Sequence, residues 1–119
     1  MVRQGEIYWV DLGEPGGSEP GFRGPCVVLQ NDAFNASRIS TVVVAFITSN
    51  INLGQAFGNV RLRKGEAGLP RPSAVNISQI VTVDRDALGE RVGKLNNRKV
   101  LAVLDGVQGL LRPVTTFRN

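Results

Sequence analysis

The segment Gly17-Ser18-Glu19-Pro20-Gly21-Phe22-Arg23-Gly24-Pro25 sets one carboxylate and one guanidinium in a glycine-rich loop, directly ahead of the apolar run Cys26-Val27-Val28-Leu29. Such a run is a buried strand, and polar loops presented by a rigid sheet are where binding and chemistry concentrate. The chain contains no His. That removes imidazole acid–base pairs, Ser-His-Asp triads and His-ligated metals, leaving carboxylates, guanidiniums and hydroxyls for any chemistry. The lone Cys26 sits inside the apolar run and reads as a buried thiol rather than a nucleophile. With one Cys no intrachain disulfide forms, and a reducing cytoplasm is the expected compartment. No cluster of Asp and Glu has metal-ligand spacing, so neither metal nor cofactor is expected.

The elements that must position these groups are short. The 119 residues suit one domain, 1–119, with a core of Val, Leu and Ile, because hydrophobic residues are 42% and aromatics only 6%. Gly 14 and Pro 6 favour short strands and tight turns. Fourteen basic against ten acidic residues give a net charge of +4, the modest footprint of a nucleic-acid or acidic-peptide partner. Eleven of the fourteen are Arg, which suits forked contacts to phosphate and equally reflects a GC-rich genome. The N-terminus has no apolar signal core, and the uncharged stretch Ile39 to Val60 is broken too often by Ser, Thr, Asn and Gln to span a membrane. A soluble protein is expected.

Strands are predicted at Ile7–Leu12, Pro25–Gln30, Thr41–Thr48 and Asn59–Arg63. Thr41–Thr48, the longest β-branched run, must be central. Two further short strands, Ser73–Asn76 and Gln79–Val83, precede a helical turn at Asp86–Leu88 and a last strand, Glu90–Leu95. Asn31–Asn35 has room for a single helical turn. After Asn96-Asn97, a good N-cap pair, apolar residues from Val100 to Leu111 recur at helical spacing, until Arg112-Pro113 ends the helix and leaves 112–119 as a loose tail. Many short strands with one terminal helix imply a strongly bent, small antiparallel sheet of barrel type.

The order Gly5-Glu6-Ile7-Tyr8-Trp9-Val10-Asp11-Leu12, then Gly17-Ser18-Glu19, then Pro25 and the strand ending Gln30-Asn31-Asp32, resembles the MazF/PemK family of toxin endoribonucleases. The resemblance continues through Thr41–Ser49 and Ser73–Asp84 and covers residues 3 to 111. Each motif alone is weak; four in this order and spacing are specific. The resemblance implies an SH3-like small β-barrel with a C-terminal helix, a homodimer, and metal-independent cleavage of single-stranded RNA at short sequence motifs. It also implies an antitoxin partner whose disordered segment occupies the RNA groove. The implied reaction is attack of the ribose 2′-hydroxyl on the adjacent phosphorus, leaving a 2′,3′-cyclic phosphate and a 5′-hydroxyl. The nucleophile belongs to the substrate, so the protein need only move protons, align the strand and stabilise the added negative charge.

Carried over position by position, the resemblance makes Thr48 the threonine whose hydroxyl holds a non-bridging phosphate oxygen. A β-branched residue that merely ends a strand is the plain alternative. Ser18 and Glu19 match loop residues bordering the RNA cleft, and Ser73, Asn76 and Gln79 match polar positions facing bases or backbone; solvated turns and strand edges compete with those readings. The chain departs from the family at Gly24, where the residue before the strand-opening proline is an arginine in the pattern. Arg23 lies one place earlier. On extended backbone its side chain points to the other face, so impaired catalysis is expected, with Arg23 as the substitute cation to be tested. Two alternatives remain open on the residues: a CcdB-type toxin that docks on DNA gyrase without cutting, and an inactive dimer that keeps antitoxin binding.

Overall fold

The computed structural model describes residues 1–13 and 21–114. The elements are β1 (Glu6–Asp11), β2 (Arg23–Val28), α1 (Asp32–Asn35), β3 (Thr41–Thr48), β4 (Val60–Leu62), β5 (Ser73–Asp84), β6 (Leu88–Lys94) and α2 (Asn97–Leu111). Tight 3-10 turns occupy Ile51–Gln55, Glu66–Gly68 and Arg85–Ala87. The six strands form one antiparallel sheet in the order β4-β5-β3-β2-β1-β6, with the β-branched β3 in its interior as its composition requires.

Alternation along β2 and β3 gives the sheet two apolar faces. Cys26, Val28, Val42, Val44 and Phe46 pack with Val2, Val10 and Val83 on one. Val27, Leu29, Ala45 and Ile47 pack with Leu62, Leu69, Val75 and Val103 on the other, beneath α2. Both cores are mostly aliphatic, with Phe46 the one buried ring among the described residues, in line with the composition.

The sheet is not closed by a β4–β6 ladder. The Glu66–Gly68 turn instead lies against β6, backbone on backbone. A Cβ on Gly93 would stand 2.1 Å from the Ala67 carbonyl oxygen, and one on Gly68 would stand 2.2 Å from that of Val92. Only glycine permits that approach. Ala67 itself has φ +56, the one positive φ outside glycine among the described residues.

The two short strands expected between Ser73 and Val83 are one twelve-residue strand with a bulge. Ile47 pairs with Val75 and Ala45 with Ile80, so two steps along β3 match five along β5. The surplus residues are held by a side chain the sequence could not align: Asn76 Oδ1 accepts from the Ser78 N–H at 3.2 Å and the Ser78 hydroxyl at 2.7 Å.

The helix ends follow their capping chemistry. Asn31 Oδ1 accepts from the N–H groups of Ala33 and Phe34, and Asn96 Oδ1 from that of Lys99 at 2.9 Å. Of α2's apolar residues only Val103 is fully buried, while Leu101 and Leu111 are 67% and 72% exposed. Within the expected loose tail, residues 115–119 lie outside the described ones.

Candidate functional site

Strand β3 ends at Thr48, and the ends of β2 and β5 lie beside it. A cleft of about 410 Å³ opens there. Its lining brings together four of the residues singled out from the sequence: Arg23, Gly24, Thr48 and Ser73. Asn76 and Gln79 are not part of it; their side chains bond to each other, Asn76 Nδ2 donating to Gln79 Oε1 at 3.1 Å, inside the β5 bulge. Ser18 and Glu19 lie outside the described residues.

Thr48 is half-buried, and its Oγ1 accepts the Asn50 N–H at 3.1 Å. That contact orients the side chain at the strand end. The hydroxyl proton has no acceptor among the described residues, so it is available to an acceptor in the cleft. Ser73 differs: its hydroxyl donates to the Arg71 carbonyl at 2.9 Å, so its proton already fixes the neighbouring loop.

Sheet register explains why Gly24 and Arg23 are not equivalent. Cys26 pairs with Phe46, and extending that register by two residues sets Gly24 across from Thr48, on the same face. Arg23 points to the other face and pairs with Asp11 on β1, its Nε donating to Asp11 Oδ1 at 3.0 Å with both side chains half-exposed. Gly24 has φ +156, and a Cβ there would stand 3.1 Å from the Phe22 ring, which is stacked on Phe46 with centroids 3.9 Å apart.

None of the groups with shifted titration is in the described lining of the cleft. The Gly13 N–H, then the Arg23 guanidinium, hold the Asp11 carboxyl below its ordinary value, so Asp11 stays an anion beside Arg23. Burial pushes the Cys26 thiol up to about 12, which removes it as a nucleophile. Elsewhere, burial alone would raise Glu6, but the Arg3 N–H at 2.7 Å, Arg91 at 2.8 Å and the Tyr8 hydroxyl at 3.0 Å together lower it. Among the described residues no three His, Cys, Asp or Glu side chains are grouped to hold a metal ion. No helix among them is long and apolar enough to cross a membrane.

Two lining residues were not read as site residues from the sequence. Trp9, half-exposed on β1, and Arg71, in the loop before β5, both face the cleft. Trp9 is the chain's single tryptophan and sits partly in water, which is a signal for a contact surface. Arg71 is bracketed by Pro70 and Pro72. A cation at a fixed point of an otherwise apolar loop was the available hint.

Comparison with known proteins identifies the family and the fold. Residues 3–111 match the family model described as PemK-like, MazF-like toxin of type II toxin–antitoxin systems. The chain is 47% identical to the endoribonuclease MazF6 of Mycobacterium tuberculosis over 95 residues, covering 80% of this chain and 83% of that one. It is 35% identical to the endoribonuclease MazF of Staphylococcus saprophyticus over 107 residues, 90% and 88% of the two chains. Among solved structures, a mycobacterial endoribonuclease in complex with its cognate antitoxin superposes with a TM-score of 0.74 at 22% identity, covering 95% of this chain and all of that one. The MazF of Deinococcus radiodurans gives 0.73 at 22% identity, over 92% and 96% of the chains. An open six-stranded antiparallel sheet with a C-terminal helix, a cleft at the end of β3 and a family match over residues 3–111 lead to one assignment: the chain belongs to the PemK-like, MazF-like toxins of type II toxin–antitoxin systems.

Proposed function

We propose that this chain is an endoribonuclease that cuts single-stranded RNA without a metal, acts as a homodimer, and is held in check by an antitoxin segment lying in the same cleft. In the proposed step the substrate's 2′-oxygen attacks the adjacent phosphorus and loses its proton. The bond from phosphorus to the 5′-oxygen breaks, and that oxygen takes up a proton. The products are a 2′,3′-cyclic phosphate and a 5′-hydroxyl. The observation that carries the reading is the Thr48 hydroxyl, oriented by Asn50 and open to an acceptor at the end of β3 in a cleft lined by Arg23. Preorganised donors of that kind stabilise the charge that develops on non-bridging oxygens.

The same geometry supports impaired turnover. The position on Thr48's face is Gly24, and Arg23 is turned to Asp11. Arg23 therefore remains a phosphate contact at the rim rather than a full replacement. Those two facts also support a second reading, a dimer that binds RNA and antitoxin and cuts little.

Incubation with a long RNA in EDTA, followed by mapping of the ends, tests the activity. Cyclic phosphate ends are expected, and a 2′-deoxyribose at the cut site should abolish cutting. Undiminished cleavage of the deoxy substrate would exclude 2′-hydroxyl attack.

A further inference from the structure

The cleft holds a second guanidinium that the proposed reaction does not use. Arg71 lines it and makes no ion pair or side-chain hydrogen bond among the described residues. Arg91, Lys99 and Arg85 are engaged with Glu6, Glu66 and the Ile39 carbonyl, whereas Arg71, like the surface cation Arg38, is not. Folding therefore gains little from the Arg71 head group.

The backbone that carries it is nonetheless firmly built. Leu69 at the root of the loop is 3% exposed, and its carbonyl accepts the Gly65 N–H at 2.7 Å. Glu66 ties the preceding turn down, accepting the Arg63 N–H at 2.9 Å and facing Lys99 Nζ at 3.6 Å. Gly68 and Gly93 lock that turn on β6 by backbone contact. Pro70 and Pro72 fix φ on either side of Arg71, and the Ser73 hydroxyl holds its carbonyl at 2.9 Å. An exposed arginine with no internal partner on so constrained a loop has lost its backbone freedom before any ligand arrives, which is the condition for efficient ion capture. Among the described residues of the lining, Arg71 and Arg23 are the only charged ones, and both are cations. Trp9 adds an aromatic surface in the same cleft, and cation plus aromatic is the pairing that suits a single nucleic-acid strand.

We infer that Arg71 grips a backbone phosphate of the RNA strand in this cleft, as a substrate-positioning contact separate from Thr48 and Arg23. The inference rests on the RNA reading proposed above. A guanidinium matches two phosphate oxygens with its planar fork, and each phosphate neutralised on a single strand adds about 0.7 to the salt slope of binding.

The test uses a mixed-sequence single strand with 2′-O-methyl riboses, which binds without being cut, titrated at several salt concentrations and followed by Trp9 fluorescence. Arg71→Ala should reduce the slope of log affinity against log salt by about 0.7 and weaken low-salt binding roughly tenfold. Arg71→Lys should keep the slope. Arg38→Ala, which removes the same charge from an exposed site outside the cleft lining, should leave the slope unchanged. A parental slope in Arg71→Ala, or an equal fall in Arg38→Ala, would overturn the inference while leaving RNA binding intact. No binding by the parent at low salt would remove the RNA reading and Arg71's role together.

Discussion

Replacing Gly24 by Arg should raise RNA cleavage and lower stability, because the two effects arise from the same atoms. Extending the β2–β3 register puts a side chain at 24 on Thr48's face, where, on the proposed reading, it would meet the phosphate held by the Thr48 hydroxyl. One preorganised contact to transition-state charge is worth about 2.7 to 4 kcal/mol, or roughly a hundred- to a thousandfold in rate. The cost is local. At φ +156 an L-residue is strained by about 1–3 kcal/mol unless the backbone relaxes. Its Cβ also meets Phe22 Cζ at 3.1 Å, and displacing that ring from Phe46 forfeits about 0.5–1.5 kcal/mol of stacking.

The expected loss, about 2–4 kcal/mol, lies below the stability of an ordinary domain, so Gly24→Arg should stay folded at 25 °C with Tm lower by roughly 10 °C. Single-turnover cleavage of a long RNA in EDTA, with thermal melts on the same samples, measures both quantities. Thr48→Ala in the Gly24→Arg background should cancel most of the gain, since on the proposed reading the two groups hold one phosphate. Arg23→Ala should change the parent much less. If Gly24→Arg folds and binds RNA but cuts no faster, while Arg23→Ala abolishes substantial parental activity, then Arg23 supplies the cation and the claim of impairment is wrong. An unchanged Tm would refute the steric reasoning independently.

Two further outcomes follow from the structure. The folded Glu6 carboxyl titrates below its ordinary 4.5, so its contribution is complete above that value and disappears as pH falls through the lower folded value. Because Arg91 is half-exposed the contribution is modest, about 1 kcal/mol; chemical denaturation of Glu6→Gln between neutral pH and pH 3 should show a shallower acid loss than the parent, and identical slopes would contradict the assignment. The uncovered α2 residues Leu101 and Leu111, with Phe57 at 93% exposure, support a homodimer burying more than about 2,000 Å² in total. Sedimentation at micromolar concentration should give twice the chain mass, and a monomer would count against it.

Much of this fold was legible because its signals are local. Apolar runs marked β1 to β3, period-two alternation marked β4, and the Asn96-Asn97 pair marked the start of α2. The β5 bulge was not legible, since Ser73–Val83 shows two apolar stretches whose continuity depends on Asn76 bonding to Ser78, a contact that periodicity does not encode. The open edge closed by the Glu66–Gly68 turn was likewise hidden in glycines at positions 68 and 93, which read as ordinary turn residues until another backbone is laid against them. At the site, Arg23, Gly24, Thr48 and Ser73 could be named from motif order, and they converge. Asn76 and Gln79 could be named too, yet the bulge draws them to each other and away from the cleft lining. Arg71 and Trp9 come from separate segments and meet only through tertiary structure.

Arg23 and Gly24 are neighbours in sequence, with Cα atoms about 3.8 Å apart, a gap a guanidinium stem could readily span. Strand geometry makes the difference larger, because successive side chains leave by opposite faces. One step from Gly24 to Arg23 exchanges the face of Phe46 and Thr48 for that of Asp11, whose carboxylate stays ionised and holds the guanidinium at 3.0 Å. Bringing the Arg23 guanidinium to Thr48 would require breaking that pair and crossing the strand, so within the cleft it stays on the Asp11 side, while Arg71 lines the same cleft from a fixed loop. On the proposed reading, the cations at the cleft's rim and loop hold a polyanion, while the position paired by register extension with Thr48 is Gly24 and carries no charge. On that reading binding and cutting are separable, and a substitution at 24 should move the second with little effect on the first.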